Sequence, residues 1–428
     1  MAPKHLPKSD IQELAERVAS ELLRVTPSLR TATPGRRQMA ILQTLDENRD
    51  DTAKLRDSFN KDASFGDLRD GWLRQANGAG GGVGTRTILL RLINSVIEGH
   101  PAEIFLAEAR AFGTSGMCTT EYYIPLCGAT VTKRINLGAS LEMVPWDDVP
   151  DSDSKAIFSP GPSRIALWAT PSANATSALR YRYRRCRALF SSHAEANTSA
   201  KILSPHQNDL HDRIQDVVRC VAVLSEIPVA AIGSWSQFDR EFVRNIGISW
   251  QSINPALSEA AIWAASSHPV QIEEETVTKL VRRFERFKTT EKAVMRVALD
   301  RLNQATRRSG SVDKAIDLGI ALEVMLLHEI NEGDRGELRF RTAIRGATFL
   351  NGPKSKRLET FDLLKNAYDL RSKAVHSGVL KETRKKGTPA EQILKDATNA
   401  CTSIARKIIT RGSFPNWDAD YVIGGRRT

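Results

Sequence analysis

The sequence has few cysteines and no long apolar run. Five cysteines are scattered over 428 residues and form no CxxC pair and no spacing typical of a zinc finger, so we expect reduced thiols. No apolar run reaches the roughly 18 to 20 residues that cross a bilayer. The N-terminal sequence MAPKHLPKSD lacks the apolar core of a secretory signal. We therefore expect a cytoplasmic protein that does not contact a membrane.

The charges are unbalanced, with 61 Lys and Arg residues against 50 Asp and Glu residues and a formal net charge of +11. A basic protein favours polyanionic partners, because its contacts with phosphates release counterions. Charge alone suggests a DNA-binding regulator, but the sequence contains no recognisable recognition helix and no zinc finger.

The segment RYRYRRCR interleaves arginines with two tyrosines, which suits RNA binding through phosphate contacts and base stacking. If it is a strand, Arg180, Arg182 and Arg184 share one face while Tyr181 and Tyr183 share the other. The candidate RNA contacts are Arg180, Arg182, Arg184 and Arg185. The alternative is an ordinary solvated edge.

Motifs for nucleotides and metals are missing. The glycine cluster in ANGAGGGVGTRT is followed by Thr85 and Arg86 rather than by Lys-Ser or Lys-Thr, so we interpret it as a flexible loop before a helix. The segment PHQNDLHDR contains His and Asp residues, but their spacing matches no standard metal site, and Pro205 predicts a polar turn. We predict no metal site and no cofactor.

Periodicity predicts a mainly α protein in four parts: a mostly helical region over 1–115, a mixed β-rich and helical region over 116–288, a helical bundle over 289–414 and a tail over 415–428. The β-prone runs are EYYIPLCGATVT, LGASLEMVPW and RIALWAT, and PDSDSKAIFSPGPS is predicted to be an exposed loop. The last helix should begin near Thr388 and end at Gly412.

The end of one predicted helix, NAYDLRSKAVHSG, carries polar groups beside an apolar stripe of Leu363, Ala367, Leu370 and Ala374. A straight helix separates Arg371 from His376 by about 140° around its axis and about 7.5 Å along it. The two side chains therefore do not share a face. Ser372 and His376, by contrast, are stacked at i and i+4, so the hydroxyl can orient the imidazole.

Two further charges lie in apolar surroundings. Glu323 is the sole charge in GIALEVMLL, and Arg345 is the sole charge in TAIRGATFL. A buried charge is costly unless it is paired. We therefore expect Glu323 to pair with Arg371 or Arg345.

In combination, these segments resemble the HEPN superfamily, and most closely its Apea-like domains. The similar segments are RVALDRLNQATRR, DKAIDLGIALEVML, ELRFRTAIRGATFL and AYDLRSKAVHSG, within about 120 residues of the C-terminal third. The Arg-x4-His spacing alone arises often by chance. The order of all four segments on successive helices is more specific.

The resemblance implies a metal-independent endoribonuclease that leaves 2′,3′-cyclic phosphate ends. Arg371 and His376 match the catalytic pair, Ser372 matches the polar residue that follows the arginine, and Lys373 is a candidate RNA contact. Glu323, Arg345 and Tyr368 are expected to support them. The resemblance also implies a homodimer through the bundle, and a defence or toxin effector in which the N-terminal region senses a phage- or stress-derived trigger.

Other interpretations remain open at this point. His376 can be a cation at the carboxyl end of its helix, where positive charge is favourable. Arg371 can be a purely structural partner of Glu323. The whole bundle can then be a non-catalytic module for binding or dimerisation.

Overall fold

A computed structural model describes most of the chain. The described residues are 10–32, 34–47, 50–159, 174–200, 207–225, 227–246, 251–253, 268–330, 337–380 and 389–423.

Helices dominate the described residues, which confirms the prediction of a mainly α protein. The α-helices are α1 (Asp10–Val25), α2 (Pro34–Asp46), α3 (Asp50–Lys61), α4 (Thr85–Ile97), α5 (Ala102–Ser115), α6 (Asp153–Phe158), α7 (His193–Ala200), α8 (Gln207–Leu224), α9 (Glu241–Ile246), α10 (Glu274–Glu285), α11 (Thr289–Arg307), α12 (Ser311–Leu327), α13 (Leu338–Leu350), α14 (Lys354–Ser377) and α15 (Ala390–Arg411). No described helix is long and apolar enough to cross a membrane.

The strands are short. They are β1 (Asp70–Arg74), β2 (Gly80–Gly84), β3 (Met117–Cys118), β4 (Thr120–Cys127), β5 (Ala129–Thr130), β6 (Ile135–Asn136), β7 (Leu141–Pro145), β8 (Ser177–Arg182), β9 (Cys186–Arg187), β10 (Leu189–Phe190), β11 (Ala230–Ala231), β12 (Gly233–Phe238), β13 (Gln251–Ile253) and β14 (Val270–Gln271). The largest described sheet has the order β13-β12-β4-β8-β7-β6, and β11 pairs with β4.

The chain divides into two compact units that each combine distant segments. The first contains Met1–Tyr123, Tyr181–Asn208 and Trp235–Ser252. The second contains Ile124–Arg180, Asp209–Ser234 and Ile253–Thr428. The bundle predicted over 289–414 lies wholly in the second unit, which also includes most of α8, all of α10 and several strands.

In the first unit, helices α1, α3, α4 and α5 enclose an apolar core. Phe59 and Phe65 stack there with ring centroids 4.1 Å apart. The glycine cluster is not the flexible loop that we predicted. It forms β2, which pairs antiparallel with β1 as a hairpin, and Gly84 then caps α4. Gly81 and Val83 are buried, whereas Gly82 between them is exposed. This alternation is typical of a strand with one buried face.

The β-prone middle region is confirmed in part. EYYIPLCGATVT forms β4 and β5, and LGASLEMVPW forms β7, whereas RIALWAT lies outside the described residues. The predicted loop PDSDSKAIFSPGPS is wrong for its first half, because Asp153–Phe158 forms α6. The hydroxyl of Ser152 accepts a hydrogen bond from the Lys155 N–H at 3.1 Å, which caps this short helix.

The bundle in the second unit surrounds α12, which packs against α11, α13, α14 and α15. This central position agrees with its sequence, because buried residues lie on almost every side of the helix. On α14 the buried stripe contains Leu364 rather than Leu363, together with Ala367, Leu370 and Ala374. Helix α15 begins at Ala390, and Thr388 lies outside the described residues.

The segment after the bundle is not a free tail. Trp417 is only 1% exposed, and its ring lies 5.1 Å from that of Phe349 on α13. Tyr421 contacts the same phenylalanine at 5.1 Å. The C-terminal segment therefore closes one side of the bundle core.

All five cysteines are free thiols, and only Cys186 is partly exposed. Burial raises the pKa of Cys127 to about 11 and that of Cys118 to about 12. Buried protonated thiols react slowly with disulfide reagents.

We expect Ellman's reagent at neutral pH to titrate one thiol quickly in the native protein and all five after unfolding in urea. Two or more fast native thiols would contradict the described packing.

Candidate active site

Helix α14 places Arg371 and His376 in its last two turns. The helix continues without a break to Ser377, and Gly378 ends it with a φ of 64°. The Gly378 N–H donates to the Ala374 carbonyl at 3.0 Å, which closes the last turn. The expected separation of the two side chains around the axis therefore holds, and they do not lie on one face.

Arg371 is held against α12. Its Nη2 lies 3.1 Å from Oε2 of Glu323, and the two side chains are 27% and 23% exposed. The stem of Arg371 crosses the helix at Gly319, where a Cβ would lie only 2.3 Å from Cγ of Arg371. Glycine at this position thus creates the space that the arginine stem occupies.

Tyr368 completes this arrangement one turn earlier on α14. Its hydroxyl interacts electrostatically with the Glu323 carboxylate, and the guanidinium carbon of Arg371 lies 5.9 Å from the centre of its ring. Burial is the main cause that raises the pKa of Tyr368, and the Glu323 carboxylate acts in the same direction. The tyrosine therefore stays protonated near neutral pH beside the Glu323 carboxylate. We call Gly319, Glu323, Tyr368 and Arg371 the Arg371 cluster.

The remaining groups of the motif face outward. His376 and Lys373 are exposed, and Ser372 is half-buried. Among the described residues, none of the three makes a side-chain hydrogen bond or an ion pair, so Ser372 does not bond to the imidazole. The hydroxyl that caps the helix end belongs instead to Ser377, which donates to the Lys373 carbonyl at 2.7 Å.

Arg345 lies apart from the Arg371 cluster. It is 1% exposed and donates to the Leu326 carbonyl and to Oε1 of Glu329, both at 2.6 Å. It therefore satisfies the carboxyl end of α12 and joins α13 to it. Its partner is Glu329, whereas Glu323 pairs with Arg371.

The arginine-tyrosine segment is only partly available to a ligand. Arg180 is 7% exposed and forms an ion pair with Glu142, and Arg182 lies 3.2 Å from Oε1 of Glu121. Arg180 is therefore a buried structural cation, not a surface contact. Arg184 and Arg185 are exposed, and neither pairs with a carboxylate within the described part of the chain.

The described residues contain no cluster of His, Cys, Asp and Glu that is suited to a metal ion. Most of PHQNDLHDR lies in α8 rather than in a turn, and His206 lies outside the described residues. Two of the three carboxylates of this helix have protein partners, because Arg296 bonds to Asp212 at 3.1 Å and to the buried Asp216 at 2.7 Å.

Sequence reasoning missed the role of Gly319. The available signal was a glycine within an apolar helix, which costs about 1 kcal/mol relative to alanine and therefore calls for a packing reason. The sequence does not reveal that the packing partner is Arg371, because the two residues are 52 positions apart on different helices.

No family model matches the chain, and neither the curated proteins nor the solved structures contain a significant match.

We expect Gly319→Ala to disconnect Arg371 from Glu323. In the otherwise native protein, a double-mutant cycle of Arg371→Ala and Glu323→Ala should give a coupling of about 1 kcal/mol in the free energy of unfolding by urea. In the Gly319→Ala background the added methyl displaces the arginine stem, so the coupling should fall to near zero.

Gly346→Ala is the matched control. Its added methyl would lie 2.4 Å from Cδ1 of Leu364, so it strains the bundle core without touching Arg371. The Arg371–Glu323 coupling should survive in this variant. A coupling that persists in Gly319→Ala would contradict the described position of the arginine.

Proposed function

We propose that this protein is a metal-independent endoribonuclease of HEPN type that works as a homodimer through its C-terminal bundle. The observation that carries the proposal is the arrangement of two side chains on α14. Arg371 is held by Glu323 and keeps further N–H donors, and the exposed His376 follows it by about one and a half turns of the same helix. Arginine and histidine together supply the charge and the proton transfer that RNA cleavage requires.

Arg371 is suited to bind the scissile phosphate. A guanidinium has five N–H donors, and within the described part of the chain Arg371 makes one hydrogen bond, from Nη2 to Glu323. Its Nε is buried and has no partner among the described residues. Phosphate oxygens can satisfy further donors, and a guanidinium can bind two of them at once. Glu323 and Tyr368 would act as positioning residues that fix the arginine.

His376 is suited to move the proton. The 2′-OH of the substrate loses a proton to a base, O2′ attacks the phosphorus, and the P–O5′ bond breaks as O5′ takes up a proton. An imidazole exchanges protons near neutral pH and can serve in either transfer. The products are a 2′,3′-cyclic phosphate and a 5′-hydroxyl.

A dimer would resolve the separation of the two side chains around the helix. In a dimer with facing motifs, one phosphate meets an arginine from one side and an imidazole from the other, and a second imidazole is present for the second proton transfer. Val375 and Val379 flank His376 and are 52% and 51% exposed. Exposed apolar side chains at this end of α14 favour contact with a second copy.

The N-terminal region would regulate this activity. The first compact unit contains none of the residues of the Arg371 cluster and not His376. In the proposal it senses a phage- or stress-derived trigger and thereby controls a defence or toxin effector.

The second candidate is a non-catalytic module for binding or dimerisation. The ion pair between Arg371 and Glu323 favours it, because that pair alone would account for the arginine. In this candidate His376 has no chemical role, so its substitution distinguishes the two.

The decisive comparison is RNA cleavage in EDTA by the full chain and by His376→Ala, Arg371→Ala and Arg371→Lys. We expect each variant to lose at least about 100-fold in rate, because general acid–base catalysis contributes about that much or more and lysine cannot replace bidentate contacts. Gel assays with labelled RNA give the rates.

His211→Ala is the control, since His211 is exposed on α8 outside the motif. It should cleave at the native rate. Equal rates for native protein and His376→Ala would refute the proposal. RNA binding without cleavage by any variant, even after addition of extract from stressed or infected cells, would favour the binding module.

A further inference from the structure

An exposed phenylalanine, Phe340, contacts a half-buried one, Phe361, on the motif helix α14. Phe340 of α13 is 51% exposed, and its ring lies edge to face with that of Phe361 of α14, with centroids 5.7 Å apart. Eight large hydrophobic side chains are exposed in the described part of the chain, and four of them belong to α13, to α14 or to the segment directly after α14. Half of these exposed hydrophobic side chains therefore lie on α13, on α14 or directly after α14.

Cations accompany the aromatic pair. Nζ of Lys365 lies 5.7 Å from the centre of the Phe361 ring, and Lys365 forms no ion pair with any described residue. Arg339 is neutralised by Asp369. Together with Phe340 and Glu337, these two cations line a cleft of about 390 Å³. An open aromatic ring beside an unpaired ammonium group suits a base and its phosphate.

The geometry of α14 connects this surface with the motif. At about 100° per residue, Phe361, Lys365, Tyr368, Ser372 and His376 all lie within about 80° around the helix axis. Phe361 precedes His376 by about 22 Å along the axis, at about 1.5 Å per residue. A short single strand that lies along this face thus reaches from the phenylalanines to the imidazole.

We propose that Phe340, supported by the ring of Phe361, is a stacking platform for an unpaired base of the RNA substrate. This inference rests on the proposed ribonuclease function. Bases in a duplex are already stacked and paired, whereas unpaired bases can be splayed onto aromatic side chains. Lys365 contacts the phosphate next to the stacked base, and Glu337 can accept a hydrogen bond from a base amino group.

The test measures binding of a ten-nucleotide 2′-O-methyl RNA, which cannot form a cyclic phosphate, by fluorescence anisotropy with the full chain. Phe340→Leu should weaken binding about 5- to 100-fold, the range for loss of one base stack. Phe340→Trp should retain it. Val297→Ala, which removes another exposed apolar group of the second unit, is the control. Both replacements at Phe340 keep an apolar side chain, so the aromatic ring is what the comparison isolates.

Equal binding by Phe340→Leu and the native chain would overturn the platform, and so would no binding by the native chain. If binding is equal but the oligomeric state of Phe340→Leu changes in analytical ultracentrifugation, the phenylalanines contact a second copy instead of a base.

A separate cleavage assay keeps the two proposals distinguishable. The ratio of decanucleotide to dinucleotide cleavage should fall in Phe340→Leu, because a dinucleotide is too short to reach the platform. Aromatic-dependent binding without cleavage by the native chain, even after addition of extract from stressed or infected cells, would refute the ribonuclease and retain the platform. Cleavage with an unchanged ratio in Phe340→Leu would support the ribonuclease and refute the platform.

Discussion

The candidate site depends on the fixed position of one guanidinium group. An arginine side chain has about 2 kcal/mol of rotamer entropy to lose when it is ordered. Here the stem of Arg371 lies across Gly319, and its Nη2 group bonds to Glu323. These contacts order the arginine before any ligand arrives, which lowers the entropic cost of binding a phosphate. The surrounding bundle, with α12 at its centre, brings the two helices together at this point.

The straightness of α14 separates the two proposed catalytic side chains. Because the helix is regular to Ser377, Arg371 turns toward α12 while His376 turns toward the surface. A single copy therefore offers a held cation and an exposed imidazole on different sides of one helix. The proposals of a dimer and of an RNA strand that runs along α14 both follow from this separation. The exposed apolar side chains near the helix end and the aromatic pair near its middle would then serve different partners, a second copy and an unpaired base.

The sequence was informative where the relevant contacts are local. Periodicity predicted a mainly α protein and the helices of the bundle, because each helix carries its own apolar stripe. It failed where the outcome depends on distant segments. The glycine cluster became a strand because β1 pairs with it, and the supposed tail is packed because Trp417 fits against Phe349. Composition reveals neither partner.

The candidate site was likewise predictable where its contacts are local and not where they join distant segments. A lone carboxylate in an apolar helix predicted that Glu323 needs a cation, but the sequence left Arg345 and Arg371 as equal choices. Packing decides between them, since Arg345 bonds to Glu329 at the end of α12. Likewise, the alternation in RYRYRRCR predicted a strand face but not that Arg180 would be buried against Glu142. Pairing across elements is a tertiary property, and spacing along one element does not determine it.

The central claim is that an arginine and a histidine cleave RNA without a metal ion. Mass spectrometry of the RNA ends produced in EDTA tests it most directly. The account predicts 2′,3′-cyclic phosphate and 5′-hydroxyl ends. Ends that carry a 5′-phosphate, formed only when Mg²⁺ is added, would contradict it.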